Sequence, residues 1–199
     1  MTVRCITVGA LGENVYILEG EGGAVVIDPG DEYERIVRAL GKTPCTHVLL
    51  THAHIDHIGA VAKLQQQGAK VILHEADGPL LTGSGNLARS FGILLEPFTP
   101  NELLCGGETL SLPCGQVGVI HTPGHTAGSV CYALENALFT GDTLFCLSVG
   151  RTDFPSGDAS ALRHSIRRKL FALPGDYTVY PGHGEPTTLD FERENNPYA

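Results

Sequence analysis

Long apolar runs are missing from this chain. No stretch approaches the roughly 20 apolar residues that a membrane-crossing helix needs, so no membrane partner is expected. The beginning, MTVRCITVGALGENVYILEG, carries one arginine, no long apolar core and a glutamate at position 13, and does not look like a secretory signal. Positive charge is scarce too: 13 Lys and Arg stand against 22 Asp and Glu, a formal net charge of −9. Like charges repel, which argues against nucleic acid or an anionic membrane surface as partner. None of the six cysteines (Cys5, Cys45, Cys105, Cys114, Cys131 and Cys146) lies in a CxxC pair, so zinc-knuckle and thioredoxin readings fail. They are expected to pack as small buried apolar residues in a reducing, cytoplasmic setting. Repeats, low-complexity tracts and linkers are also absent. With 199 residues, 42% hydrophobic and 18% charged, the composition is that of an ordinary globular protein and predicts one domain over 1–199.

What is present is an alternation of short β-branched runs with helical patterns. VRCITV, NVYILEG and AVVIDPG end at Gly or Pro, as strands do. EYERIVRALG puts Ile36, Val37 and Leu40 on one face and stops at Gly41, predicting a helix. THVLL and KVILHE read as strands, with IGAVAKLQQQG between them as one helix ended by Gly68. Residues 76–104 suggest short helices and a loop. Strands return at ETLSLP, QVGVIHTPG, SVCYALE and ALFTGD, then GDASALRHSIRRKLFALPG repeats Leu162, Ile166 and Leu170 at helical spacing, and YTVYPGHGEP closes with a strand and loop. The economical fold is α/β, with helices covering sheet.

Polar residues gather after the predicted strands: THAHIDH, TPGHT, TGD and PGHG each follow an apolar run. Ligand sites of layered α/β folds form where such loops converge. Residues two apart in an extended loop point the same way, so His52 and His54 can grip one ion, while Asp56 and His57 come a turn later and point beside it. Imidazole and carboxylate suit zinc, iron or manganese. One ion cannot use all these donors with good geometry. Two neighbouring ions can, with His125, Asp142 and His183 supplying the remaining ligands and Asp142 as the bridge. His47, His74, His121 and His164 lack ligand spacing and are expected to be structural, although His121, four residues before His125, could support the site. Locally, Asp28 is a turn-initiating residue.

In this order the motifs resemble the metallo-β-lactamase superfamily along essentially the whole chain. The resemblance implies a four-layer αββα sandwich with metal at one edge of the paired sheets. It assigns His52, His54, His125 and Asp142 to a first ion and Asp56, His57, Asp142 and His183 to a second, with Asp56 and Asp142 as catalytic residues and Asp28 as support beneath. VGRTDFPSGD is similar to short glyoxalase II-like hydrolases and to persulfide dioxygenases. Full glyoxalase II carries a C-terminal helical domain that helps hold glutathione, and this chain, ending soon after His183, is expected to lack it. The implied reaction is hydrolysis of a small acyl thioester, such as S-2-hydroxyacylglutathione, by a metal-bridging hydroxide. An iron persulfide dioxygenase is the alternative, and a lactonase or β-lactamase a further one. Arg151 in VGRTDF is a candidate anchor for a substrate carboxylate, or else pairs with Asp153 or Asp158.

Overall fold

The computed structural model of the protein describes residues 2–199. Strands β1 (Val3–Val8), β2 (Glu13–Gly20) and β3 (Gly23–Ile27) run antiparallel, and β4 (Cys45–Leu49), β5 (Lys70–His74) and β6 (Glu102–Leu104) extend this sheet in parallel. The second sheet runs β14-β13-β10-β9-β8-β7, with β7 (Thr109–Leu112), β8 (Gly115–His121), β9 (Val130–Leu134), β10 (Ala137–Gly141), β13 (Thr178–Pro181) and β14 (Thr187–Thr188). A small hairpin, β11 (Leu144–Phe145) with β12 (Ser148–Val149), leaves β10.

Strand alternation sorts the apolar side chains into three layers. In β2, Tyr16 and Leu18 face the second sheet, where Val119, Tyr132 and Phe139 meet them, while Val15 and Ile17 face the other way. That outer layer packs on α1 (Tyr33–Leu40) through Ile36 and Leu40, and on α3 (Val61–Gln66) through Val61 and Leu64. Beyond the second sheet, Cys131, Leu138 and Val179 pack on α4 (Ala159–Ser165) through Leu162, on its continuation through Ile166, and on α5 (Leu189–Asn195) through Leu189. The result is the four-layer αββα sandwich. Each fully buried side chain such as Phe139 stabilises it by about 1.5–3 kcal/mol.

Where the elements depart from expectation, the reason is local. The helix read over IGAVAKLQQQG is split into α2 (Ile55–Ile58) and α3. The Ala60 N–H bonds sideways to the Pro29 carbonyl at 2.9 Å. A Cβ at Gly59 would run into the Gly30 carbonyl, and one at Gly30 into that of Asp56. The two glycines thus let the turn after β3 press against α2. The long helix after Gly157 begins as expected, with the Asp158 side chain accepting from Ser160 N at 2.7 Å and Ala161 N at 2.9 Å. Its second half, Ile166–Leu170, widens into a π turn. β6, the β11–β12 hairpin and α5 were not foreseen. The cysteine expectation needs correction: only Cys131 is fully buried, whereas Cys5, on edge strand β1, and Cys105 and Cys146, in loop and hairpin turns, are exposed. All six are free. No helix among the described residues is long and apolar enough to cross a membrane.

Candidate metal centre

The loops after β3, β4, β8, β10 and β13 converge at one edge of the two sheets. His52 and His54 lie in the turn from β4 into α2, which carries Asp56 and His57. His125 sits between β8 and β9, Asp142 directly after β10, and His183 just beyond β13.

Hydrogen bonding sets which ring nitrogen faces the centre. The Thr51 hydroxyl donates to Asp28 Oδ2 at 2.6 Å, so toward His52 Nδ1, 3.0 Å away, it can only accept. His52 therefore carries its proton on Nδ1 and keeps the Nε2 lone pair free. His57 Nδ1 donates to Asp28 Oδ2 at 3.1 Å, and His125 Nδ1 donates to the Arg151 carbonyl at 2.7 Å, with the same consequence for both. His52 Nε2, His57 Nε2 and Asp142 Oδ1 are buried without a hydrogen-bond partner. Buried polar atoms are normally satisfied, so these donors fit a cation.

The donors fall into two sets. The nitrogens of His52, His54 and His125 lie within 4.8 Å of one another, and so do the ligand atoms of Asp56, His57 and His183. His54 Nδ1 and His125 Nε2 face each other at 2.9 Å. Asp142 stands between the sets: Oδ2 is 3.5 Å from His125 Nε2, while Oδ1 is 3.4 Å from His57 Nε2 and 3.7 Å from His183 Nε2. Asp56 Oδ2 lies 3.3 Å from His183 Nε2. Asp28, His52 and His57 also cluster, but Asp28 is already engaged by the Thr51 amide and hydroxyl and by His57, which suits it to support rather than ligation.

The electrostatics divide along the same line. Burial, then the neighbouring imidazoles, hold His52 well below the ordinary histidine range and bring His54 down to about 3, so both rings are neutral with free lone pairs. Burial also opposes charge on His57 and His183, but carboxylates outweigh it and raise both: Asp142, Asp56 and Asp28 around His57, and Asp56 and Asp142 around His183. Burial would raise Asp142, yet His57, through charge and hydrogen bond, keeps it below the usual carboxylate range.

Other expected residues lie further out. The Arg151 guanidinium is exposed, bound by two hydrogen bonds to Asp153 at 2.7 and 2.6 Å, and stacked on Phe154 with 4.0 Å to the ring centroid. Of the alternatives for Arg151, the Asp153 pair is formed. Phe154 in turn packs edge-on to His54 at 5.6 Å, which leaves Arg151 at the rim. His121 Nε2 donates to the Ala127 carbonyl at 2.9 Å, steadying the loop that carries His125, and His74 is buried and stacked on it. His47 bonds Thr46, and His164 is exposed on α4.

Sequence reasoning missed four residues. Asp77, fully buried, accepts from Ala53 N at 3.0 Å, Thr126 Oγ1 at 2.8 Å and Gly128 N at 2.7 Å, tying the two histidine loops together. Thr51 links Asp28 to His52. Asn14 holds the His183 loop through the carbonyls of Pro181 and Gly184 at 3.2 and 2.9 Å. Glu13 is buried, with Oε1 4.0 Å from His57 Nδ1, and burial, joined by nearby carboxylates, pushes its carboxyl well above the usual range. Glu13 opens an apolar strand, where a charged residue reads as loop polarity. Asp77 lies outside every motif.

Two opposed groups of potential metal donors with a carboxylate between them, at the edge of an αββα sandwich, fit a metallo-hydrolase fold. The chain belongs to the metallo-beta-lactamase superfamily, whose family model matches residues 8–183. The hydroxyacylglutathione hydrolase GloC of Haemophilus influenzae is 36% identical over 207 residues, covering 100% of this chain and 98% of that protein. Among solved structures, the BLEG-1 B3 metallo-beta-lactamase superposes with a TM-score of 0.92 at 36% identity over 99% of each chain. TTHA1623, solved in a di-iron-bound form, gives 0.89 at 40% identity over 98% of this chain and 100% of that one.

Proposed function

We propose that the chain is a metal-dependent hydrolase of small acyl thioesters of the S-2-hydroxyacylglutathione kind, with residues 1–199 acting as one domain in the cytoplasm. The observation that carries the reading is the meeting of two ligand sets on the two oxygens of Asp142. His52, His54, His125 and Asp142 would hold one divalent ion, and Asp56, His57, Asp142 and His183 the other. Zinc suits these donors best, and iron or manganese would fit as well. The likeness to GloC supports thioester chemistry, and six free cysteines suit a reducing compartment.

When bound, a pair of such ions supplies a water that ionises near neutral pH and a Lewis acid for a carbonyl oxygen. The protein's own residues do the positioning. Asp28 and Thr51 fix the proton on Nδ1 of His57 and His52, which directs both Nε2 lone pairs inward. Asp56 and Asp142 would accept hydrogen bonds from a water held between the two sets and so orient it toward the carbonyl. Neither buried phenol is free to protonate a leaving group, because Tyr16 donates to the Pro181 carbonyl at 2.6 Å and Tyr132 to that of Leu50 at 2.8 Å. A thiolate leaves without a proton, since a thiol ionises near pKa ~8.5, whereas an amide nitrogen does not.

The test is a substrate panel on metal-loaded protein: an S-2-hydroxyacylglutathione, a lactone, a β-lactam and glutathione persulfide with oxygen uptake recorded. Thioester turnover should exceed that of the lactone and β-lactam by orders of magnitude. Oxygen consumption with persulfide and no thioester turnover would replace this reading with the dioxygenase.

A further inference from the structure

A cavity of about 430 Å³ opens beside Asp56, between the β1–β2 turn and the extended segment that precedes β6. Its volume lies in the range of small-molecule sites. The walls are apolar: Leu11, Phe91, Ile93 and Leu94 line it, and they are unusually exposed, at 50%, 52%, 50% and 98%. Four large apolar side chains left open around one concavity mark a binding surface more often than chance decoration. Among the described residues, the only charged groups on its walls are Asp31 and Asp56. Asp31, which belongs to neither ligand set, would repel a substrate carboxylate there. On the other flank the cationic Arg151 stacks on Phe154, which edges His54.

We propose that this cavity is the acyl pocket and that the substrate's acyl group is an apolar chain of medium length. The inference rests on the thioester reading above and extends its acyl group from a small 2-hydroxyacyl unit to a longer apolar chain. With the scissile carbonyl between the two ligand sets, one arm of the thioester passes over Asp56 and the other toward His125. Charge assigns the arms. The apolar, acid-flanked cavity takes the acyl chain, and the Arg151 side takes the thiol carrier with its polar or carboxylate groups. The acyl specificity then belongs to the segment 91–95 and Leu11, not to the metal ligands.

The test uses zinc-loaded protein and a series of acetyl, butyryl and hexanoyl esters of one thiol, together with the matching non-hydrolysable thioethers. Calorimetry should show thioether affinity rising about 2- to 4-fold per methylene, with a negative heat-capacity change, and kcat/KM should rise in parallel. Leu94→Ser and Phe91→Ala alter exposed side chains, so they should fold normally and flatten both series. Equal affinity along the wild-type series, or series unchanged by both variants, overturns the acyl pocket, and thioester hydrolysis alongside that result leaves the broader reading standing. Chain-length-dependent binding with no hydrolysis of any thioester supports an apolar-ligand cavity and sinks the hydrolase reading alone.

Discussion

Replacing Asp77 by Asn should loosen the metal centre without touching a ligand. The carboxylate serves three buried donors, two on one oxygen and one on the other. Ala53 lies between His52 and His54, while Thr126 and Gly128 closely follow His125. An Asn side chain has one acceptor. If its oxygen faces Ala53 and Thr126, its amide opposes the Gly128 N–H; turned around, it opposes the Ala53 N–H. Either way one buried N–H is left without a partner, at a cost of about 1–3 kcal/mol. Burial raises the Asp77 carboxyl despite its hydrogen bonds from Thr126, Gly128 and Ala53. Removing the charge therefore recovers some desolvation, and about 2 kcal/mol is expected net. For a chain of this size that lowers Tm by about 4–8 °C. Urea and thermal unfolding of metal-free protein give the stability change, and competition with a chelator gives metal affinity. Affinity at the His52, His54 and His125 position should fall on the order of 10-fold, as for other residues that orient ligands. Reduced stability with unchanged metal affinity would make Asp77 a packing residue only, and no change in either would refute the reasoning.

The two ligand sets should also separate with pH. His57 and His183 are raised, so protons compete for that position even above the ordinary histidine range near ~6.5. His52 and His54 are lowered, so their lone pairs stay available well below it. On acidification the Asp56, His57 and His183 position should therefore release its ion first, as followed by stepwise metal release to an indicator dye, and release in the opposite order would contradict the assignment. Arg151→Ala should raise KM for a carboxylate-bearing thioester about 3- to 10-fold, because a substrate must share the guanidinium with Asp153, with kcat little changed. A neutral thioester that responds equally would remove Arg151 as the anchor.

Much of this was readable beforehand because short motifs carry their own geometry. HAHIDH places donors on successive turns whatever the rest of the chain does, and alternation within NVYIL and SVCYAL assigns faces of a strand. The gaps share a different cause. The break at Gly59 depends on the distant turn at Pro29 and Gly30, which no local pattern contains. Asp77, Asn14 and Glu13 work by bonding or burial against residues far along the chain, so their spacing is silent. Cys5 is exposed because β1 lies at a sheet edge, a matter of tertiary order, and Cys105 and Cys146 because they fall in turns. For Arg151 the local sequence held both an ion pair and a substrate anchor, and of these the pair with Asp153, two residues away, is formed in the free protein.

Metal content measured on protein purified without added metal tests the central claim most directly. Two divalent ions per chain are predicted, with Asp142→Ala lowering both and His183→Ala chiefly one, since Asp142 turns one oxygen to each ligand set. A single ion per chain in the wild type, or undiminished content in Asp142→Ala, would contradict a dinuclear centre bridged by Asp142.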